Sequence, residues 1–137
     1  MSILSVIGAG GMAAASQAQM EAATSNTVGG TPLNTNWHPG VAKAWIEAVG
    51  NGTSISVSWN ITSITDTGTG TLDVTIATDF SSDRYVICCT CVSGTQRTHV
   101  ITTQSAGAFQ AKYFSTVDGA TLGDPTYWMF ACFGDQA

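Results

Sequence analysis

Hydrophobic and polar residues alternate along most of the chain after Val41, which is typical of β-strands with one buried face. The clearest run places Ile55, Val57, Trp59 and Ile61 between Ser54, Ser56, Ser58 and Asn60. The parity breaks at Ile64, so we expect a bulge or bend near residues 62–63. Because a one-residue slip would exchange apolar for polar side chains, the pattern predicts that Trp59 is a core residue rather than a ligand platform. We expect it to pack near Leu72, Val74 or Ile76, across a hairpin turn at 66–70.

Further strand patterns follow the same rule and are separated by turns rich in Gly, Asp and Ser. They lie at residues 43–49, 72–77, 84–92, 97–103, 109–113 and 127–133. The run at 84–92 is apolar on both faces, which predicts a central strand covered on both sides. No gap is long enough for a crossover helix, so the strands should be antiparallel. The chain is therefore predicted to be all-β, a jelly-roll-like antiparallel β-sandwich of about seven strands over residues 41–137, with Trp45 and Trp128 also in its core.

Residues 1–37 have a different character and predict a separate N-terminal segment that is helical and extended. A short helix is expected near 16–23, because Ser16 and Gln19 have the spacing of a capping box. Four apolar residues near the start, Ile3, Leu4, Val6 and Ile7, have no periodic partner nearby. Since their exposure would be costly, we expect this segment to dock on another chain or to hold copies of this chain together.

Charged residues make up only 9% of the chain, and the net charge is −5 with four basic residues. So few cations exclude non-specific binding to nucleic acid and argue against docking on anionic membranes. No apolar stretch is long enough for a membrane span, so no membrane insertion is expected. The first basic residue is Lys43, so we also expect no secretion signal and a reducing compartment.

Three of the four cysteines lie in one strand pattern, and the fourth is Cys132. Alternation places Cys89 and Cys91 on one face and Cys88 on the other. The run has no turn to arrange a tetrahedral site, so we predict free thiols without a metal. The alternative is a soft-metal site in which His99 approaches Cys89 and Cys91 across strands.

The sequence shows no constellation of catalytic residues and predicts neither an enzyme nor a cofactor. Its two histidines, His38 and His99, lie outside nucleophile motifs, and most aspartates lie at turns, where local backbone bonding explains them. A small hydrolase remains the enzymatic alternative. Trp37 lies in a loop beside His38, so these two residues are the candidate exposed contacts for a ligand such as a sugar.

Several segments together resemble bacteriophage tail-fibre proteins. They are the Ala/Gln-rich stretch 16–24 followed by Val28 and Thr31-Pro32, the junction 38–45, the strand and turn at 59–70, and the continuation through 72–80 and Tyr85. The resemblance implies a virion structural protein that forms a homotrimer, folds in the bacterial cytoplasm and exposes a terminal β-domain.

On this resemblance the partners are two further copies of the chain and other capsid or tail proteins. The contacts are expected at Ile3, Leu4, Val6, Ile7 and Met20. The short chain favours a short head or tail appendage or a capsid-decoration protein. The alternative is a tail-fibre tip module that binds a receptor or a host cell-surface glycan.

Overall fold

The computed structural model describes residues 13–22, 28–30, 38–94, 97–115 and 121–137. The chain divides into two compact units, Met1–Val41 and Ala42–Ala137. The described part of the second unit contains eight strands: β1 (Ala44–Val49), β2 (Ile55–Trp59), β3 (Ile61–Gly68), β4 (Thr71–Ile76), β5 (Val86–Val92), β6 (Arg97–Ser105), β7 (Ala108–Ser115) and β8 (Tyr127–Phe133).

The strands form two four-stranded sheets, and every pairing within them is antiparallel. The first sheet has the order β2-β1-β8-β5 and the second has the order β3-β4-β7-β6. Their inner faces share one hydrophobic core. The predicted all-β antiparallel sandwich is confirmed, with eight strands instead of seven.

The additional strand arises because the chain changes sheets at Asn60. This residue has a φ of 57°, a left-handed conformation that asparagine adopts more readily than most residues. Its side-chain amide donates to the carbonyls of Lys43 (3.0 Å) and Thr78 (3.1 Å), and its Oδ1 accepts from the Thr78 N–H at 2.7 Å. Asn60 therefore ends β2 in one sheet and begins β3 in the other. The predicted irregularity near 62–63 is also present, as a register shift between Ile61 and Ser63.

The core lies between the two sheets and is rich in aromatic side chains. Trp128 is fully buried, and its Nε1 donates to the carbonyl of Gly50 at 3.0 Å, which satisfies the polar atom of the indole. Its ring stacks on Phe130 and meets Tyr113 edge-on. The core positions predicted for Trp128 and for the β4 residues Leu72, Val74 and Ile76 are confirmed.

Two of the predicted core tryptophans lie outside the core. Trp59 is 60% exposed and Trp45 is 37% exposed, so their assignment to the core is wrong. The two residues are cross-strand partners on the outer face of the first sheet. The parity argument joined Trp59 to Ile61, but Asn60 separates them into different sheets.

The cysteine strand is also placed differently from the prediction. β5 is an edge strand rather than a central one, and its exposure alternates residue by residue. Val86 and Val92 are exposed on its outer side, where the sequence pattern placed a covering layer. Central positions in this sheet belong to β1 and β8.

The first unit contains the helix α1 (Gln17–Ala22). Its predicted capping box is confirmed, because Gln19 Oε1 accepts from the Ser16 N–H at 2.9 Å and the Ser16 hydroxyl accepts from the Gln19 N–H at 3.4 Å. Ala15 and Gly29 are joined by a backbone hydrogen bond of 3.0 Å. No helix in the described part of the chain has the length and hydropathy that a membrane span requires.

Candidate functional site

The outer face of the first sheet carries a continuous set of exposed hydrophobic side chains. The ladder Trp59–Trp45–Ala131–Cys88 crosses all four strands on this side. The register places the following residues on it, which we call the apolar face: Trp45, Val57, Trp59, Val86, Cys88, Val92, Tyr127 and Met129. The most exposed are Val86 at 61%, Trp59 at 60% and Val57 at 49%.

The apolar face has almost no charge. Its four strands are described throughout, and Glu47 is the one charged side chain that their register directs outward. Four strands of five to seven residues, at a spacing of about 4.8 Å, cover roughly 15 Å by 20 Å. The largest apolar patch on a monomeric protein commonly covers about 300–600 Å² and is often functional.

The second sheet has a polar outer face, in contrast to the apolar face of the first sheet. Asp73 on β4 lies opposite Gln110 on β7, and the Gln110 amide donates to the Asp73 carboxylate at 2.8 Å. Gln110 Oε1 in turn accepts from the Thr102 hydroxyl at 2.7 Å. Asp73 and Gln110 line a shallow groove of about 400 Å³, together with Thr65 and Thr75. The two outer faces of the sandwich therefore differ: that of the first sheet is apolar and that of the second sheet is polar.

A second cluster lies at the edge of the sandwich, where β5 and β6 belong to different sheets. Cys89 and Cys91 on β5 and His99 on β6 each offer one ligand atom, and these atoms lie within 4.8 Å of one another. Both cysteines are half-buried, whereas His99 is exposed. His99 is the cross-strand partner of Tyr113, whose side chain is in the core, so the histidine is on the inner side of its sheet.

The two thiols of this cluster are electrostatically unequal. The pKa of Cys91 is lowered because the neighbouring Cys89 thiol donates a hydrogen bond to it. The same hydrogen bond, together with burial, raises the pKa of Cys89. Cys132, deeper in the core, has its pKa raised to about 12, chiefly by burial.

The alternation predicted for the cysteine strand is confirmed, since Cys89 and Cys91 are half-buried together and Cys88 is exposed. All four cysteines are free thiols. The approach of His99 to the two thiols, which the sequence offered as the alternative to inert cysteines, is present in the structure.

The other predicted contact residues lie mostly beyond the described part of the chain. Ile3, Leu4, Val6, Ile7 and Trp37 fall there and stay predictions. Met20, on α1, is half-buried, and His38 is exposed. The ring of His38 belongs to a local turn, because its Nδ1 accepts from the Gly40 N–H at 3.1 Å.

Comparison of the sequence with family models, curated proteins and solved structures finds no significant match.

Proposed function

We propose that the protein is a non-enzymatic structural component of a bacteriophage particle that works as a homotrimer. In this proposal it forms a short appendage or a capsid-surface decoration, attached through the segment 1–37. The resemblance to tail-fibre proteins supports the phage context. The apolar face is the observation that carries the proposal, because it supports assembly rather than a solitary chain.

The occupant that fits this face best is a second copy of the same face or its flank. A partner that covers it must itself be nearly free of charge, and on this chain the outer side of the first sheet has that character. Fully burying a Val or an aromatic side chain contributes about 1.5–3 kcal/mol. Roughly 300 Å² would form the apolar centre of an interface of about 800 Å² per partner, whose rim lies on the adjoining loops. Closed rotational symmetry then ends the assembly at a fixed number of chains.

Two valines allow a matched test of this interface. Val57 is on the apolar face of edge strand β2, and Val100 is 42% exposed on edge strand β6 of the other sheet. Val57 lies opposite Glu47, and Val100 lies opposite Lys112. Val57→Lys and Val100→Glu therefore each add one charge opposite a residue of the other sign. The two substitutions should change the stability of the single chain by similar amounts, so a difference in oligomeric state reflects the interface.

We expect light scattering to show three chains per particle for the parent protein and for Val100→Glu, and one chain for Val57→Lys. Because the interface would remove water from both the added ammonium and the Glu47 carboxylate, desolvation of these ions costs several kcal/mol, which is enough to dissociate an interface of this size. A monomeric parent, or a trimer that tolerates Val57→Lys, contradicts the proposal.

The location on the particle has its own test, in the virus that carries this protein. Deletion of the gene should leave adsorption to the host intact while the particle loses resistance to heat or osmotic shock. Immunogold labelling should place the protein on the capsid or on a short tail appendage. A particle that keeps its stability but no longer adsorbs would contradict a decoration role.

The second candidate is a receptor- or glycan-binding module, which one observation favours. Trp45 and Trp59 are directly opposite each other on neighbouring strands and expose indole surface on which a sugar ring could stack. This role predicts that Trp59→Ala keeps the trimer and loses binding to host cells. Dissociation of the trimer by Trp59→Ala would instead favour the structural role.

A further inference from the structure

We propose that Cys89, Cys91 and His99 bind one zinc ion at the edge of the sandwich, between the two sheets. The proposal does not depend on the phage role, because the three residues belong to one chain and one unit of the fold. It assigns a function to the paired half-buried cysteines, which a sandwich core does not need.

The distances fit a zinc site after a small adjustment. Zinc binds thiolate at about 2.3 Å and imidazole nitrogen at about 2.0–2.1 Å, so neighbouring ligand atoms of a tetrahedral site lie roughly 3.5–4 Å apart. The ligand atoms of Cys89, Cys91 and His99 are already within 4.8 Å of one another. A change of about 1 Å is within the reach of side-chain rotation, and the exposed His99 is free of tight packing.

The strand geometry places these ligands together without a turn. Residues i and i+2 of a strand point to the same side, so Cys89 and Cys91 approach the ion from one sheet. His99 approaches from β6 in the facing sheet, on the inner side that it shares with its partner Tyr113. The sequence argument against a metal required a turn, whereas here the second element is the opposite sheet.

The donor set selects the ion. Two thiolates and one imidazole are soft to intermediate ligands that favour Zn²⁺ over Mg²⁺, Ca²⁺ or Mn²⁺. Three protein ligands leave the fourth tetrahedral position to water or to another donor. Since β5 and β6 are the edge strands of their sheets, the ion would link the two sheets where neither has a further strand to pair with.

Zinc binding requires the sulfurs of both Cys89 and Cys91 as thiolates and so releases protons. The affinity for Zn²⁺ should therefore rise with pH.

The test uses the full chain in a reducing buffer with Zn²⁺ and with Co²⁺ as a spectroscopic probe. The parent protein should bind one ion per chain, and Co²⁺ should give the visible absorption of a tetrahedral thiolate site. Cys88→Ser is the matched control, because Cys88 lies in the same strand on the opposite, exposed side. We expect this control to bind like the parent.

Cys89→Ser, Cys91→Ser and His99→Ala should each weaken Zn²⁺ binding by more than about 100-fold, since even the outer-shell partners of metal ligands change affinity by about 10–100-fold. His99→Ala changes an exposed side chain, so its metal-free form should melt like the metal-free parent and show that the loss is not unfolding. Absence of stoichiometric binding to the parent overturns the proposal. Equal loss in Cys88→Ser and Cys91→Ser also overturns it. The monomer-forming Val57→Lys should still bind one ion per chain, which separates a failure here from a failure of the trimer.

Discussion

At the scale of single residues, Asn60 determines how the chain is divided between the sheets. Its positive φ and its three side-chain hydrogen bonds hold the corner between β2 and β3. Asn60→Gly keeps the backbone freedom and loses the hydrogen bonds, at about 0.5–1.5 kcal/mol each. Asn60→Ala adds the strain of a left-handed alanine, about 1–2 kcal/mol. We expect denaturant unfolding to rank stability as parent, then Gly, then Ala, and equal stability of the three would contradict this role.

The two tryptophans should respond oppositely to truncation. Trp128 is fully buried and hydrogen-bonded, so Trp128→Ala should lower the free energy of unfolding by about 3–5 kcal/mol. Trp59 is 60% exposed, so Trp59→Ala should change it by less than about 1 kcal/mol in a monomeric chain. Both changes are best made in the Val57→Lys chain, where assembly does not contribute. If Trp59→Ala lowered the free energy of unfolding by several kcal/mol, Trp59 would have to be a core residue, which would contradict its exposed position.

The cysteines should differ in reactivity according to exposure and pKa. Cys88 is exposed, whereas Cys132 is buried with its pKa raised to about 12. Because the thiolate is the reactive form, an aromatic disulfide reagent applied to the Val57→Lys chain, in which the apolar face is expected to be open, should label Cys88 first and Cys132 only after unfolding. Cys132 should react slowly because its raised pKa keeps it a neutral thiol in the folded chain below about pH 12. Early labelling of Cys132 at neutral pH would contradict its buried position in the core.

At the scale of elements, the sequence predicted strands well and their environment less well. Period-two alternation located β4 and the face that Leu72 and Val74 bury, because β4 lies inside its sheet with one side in the core. The capping-box spacing of Ser16 and Gln19 located the helix. The pattern failed at β2 and β5, both of which are edge strands. An apolar stripe that meets a partner chain has the same spacing as one that meets the core, so alternation alone cannot distinguish the two.

For the candidate sites, too, the sequence predicted which residues share a strand face but not what that face meets. The alternation of side chains along a strand placed Cys89 and Cys91 on one face. This alternation does not show which strand of the other sheet faces the two cysteines. The approach of His99 depends on the pairing of the sheets, which is a long-range property of the fold. The apolar face was hidden because Trp45 and Val57 satisfied a core pattern equally well.

At the scale of the whole molecule, the sandwich is strongly asymmetric. One outer face is polar, with the Asp73–Gln110 hydrogen bond at its centre, and the other is apolar with Glu47 as the single charge that its described strands direct outward. A protein with 9% charged residues keeps its polar face in water through hydroxyl and amide groups. The proposed trimer places the other face against its copies, which explains how one chain can carry both surfaces.

The central claim is that the apolar face is buried between copies of this chain, and hydroxyl-radical footprinting of the assembled protein tests it most directly. In the parent protein Trp59 should be oxidised slowly, and in the Val57→Lys monomer it should be oxidised several-fold faster, as its exposure in the single chain requires. Val100, on the other sheet, should react at the same rate in both and serves as the internal reference. Equal and rapid oxidation of Trp59 in the two proteins would contradict the account.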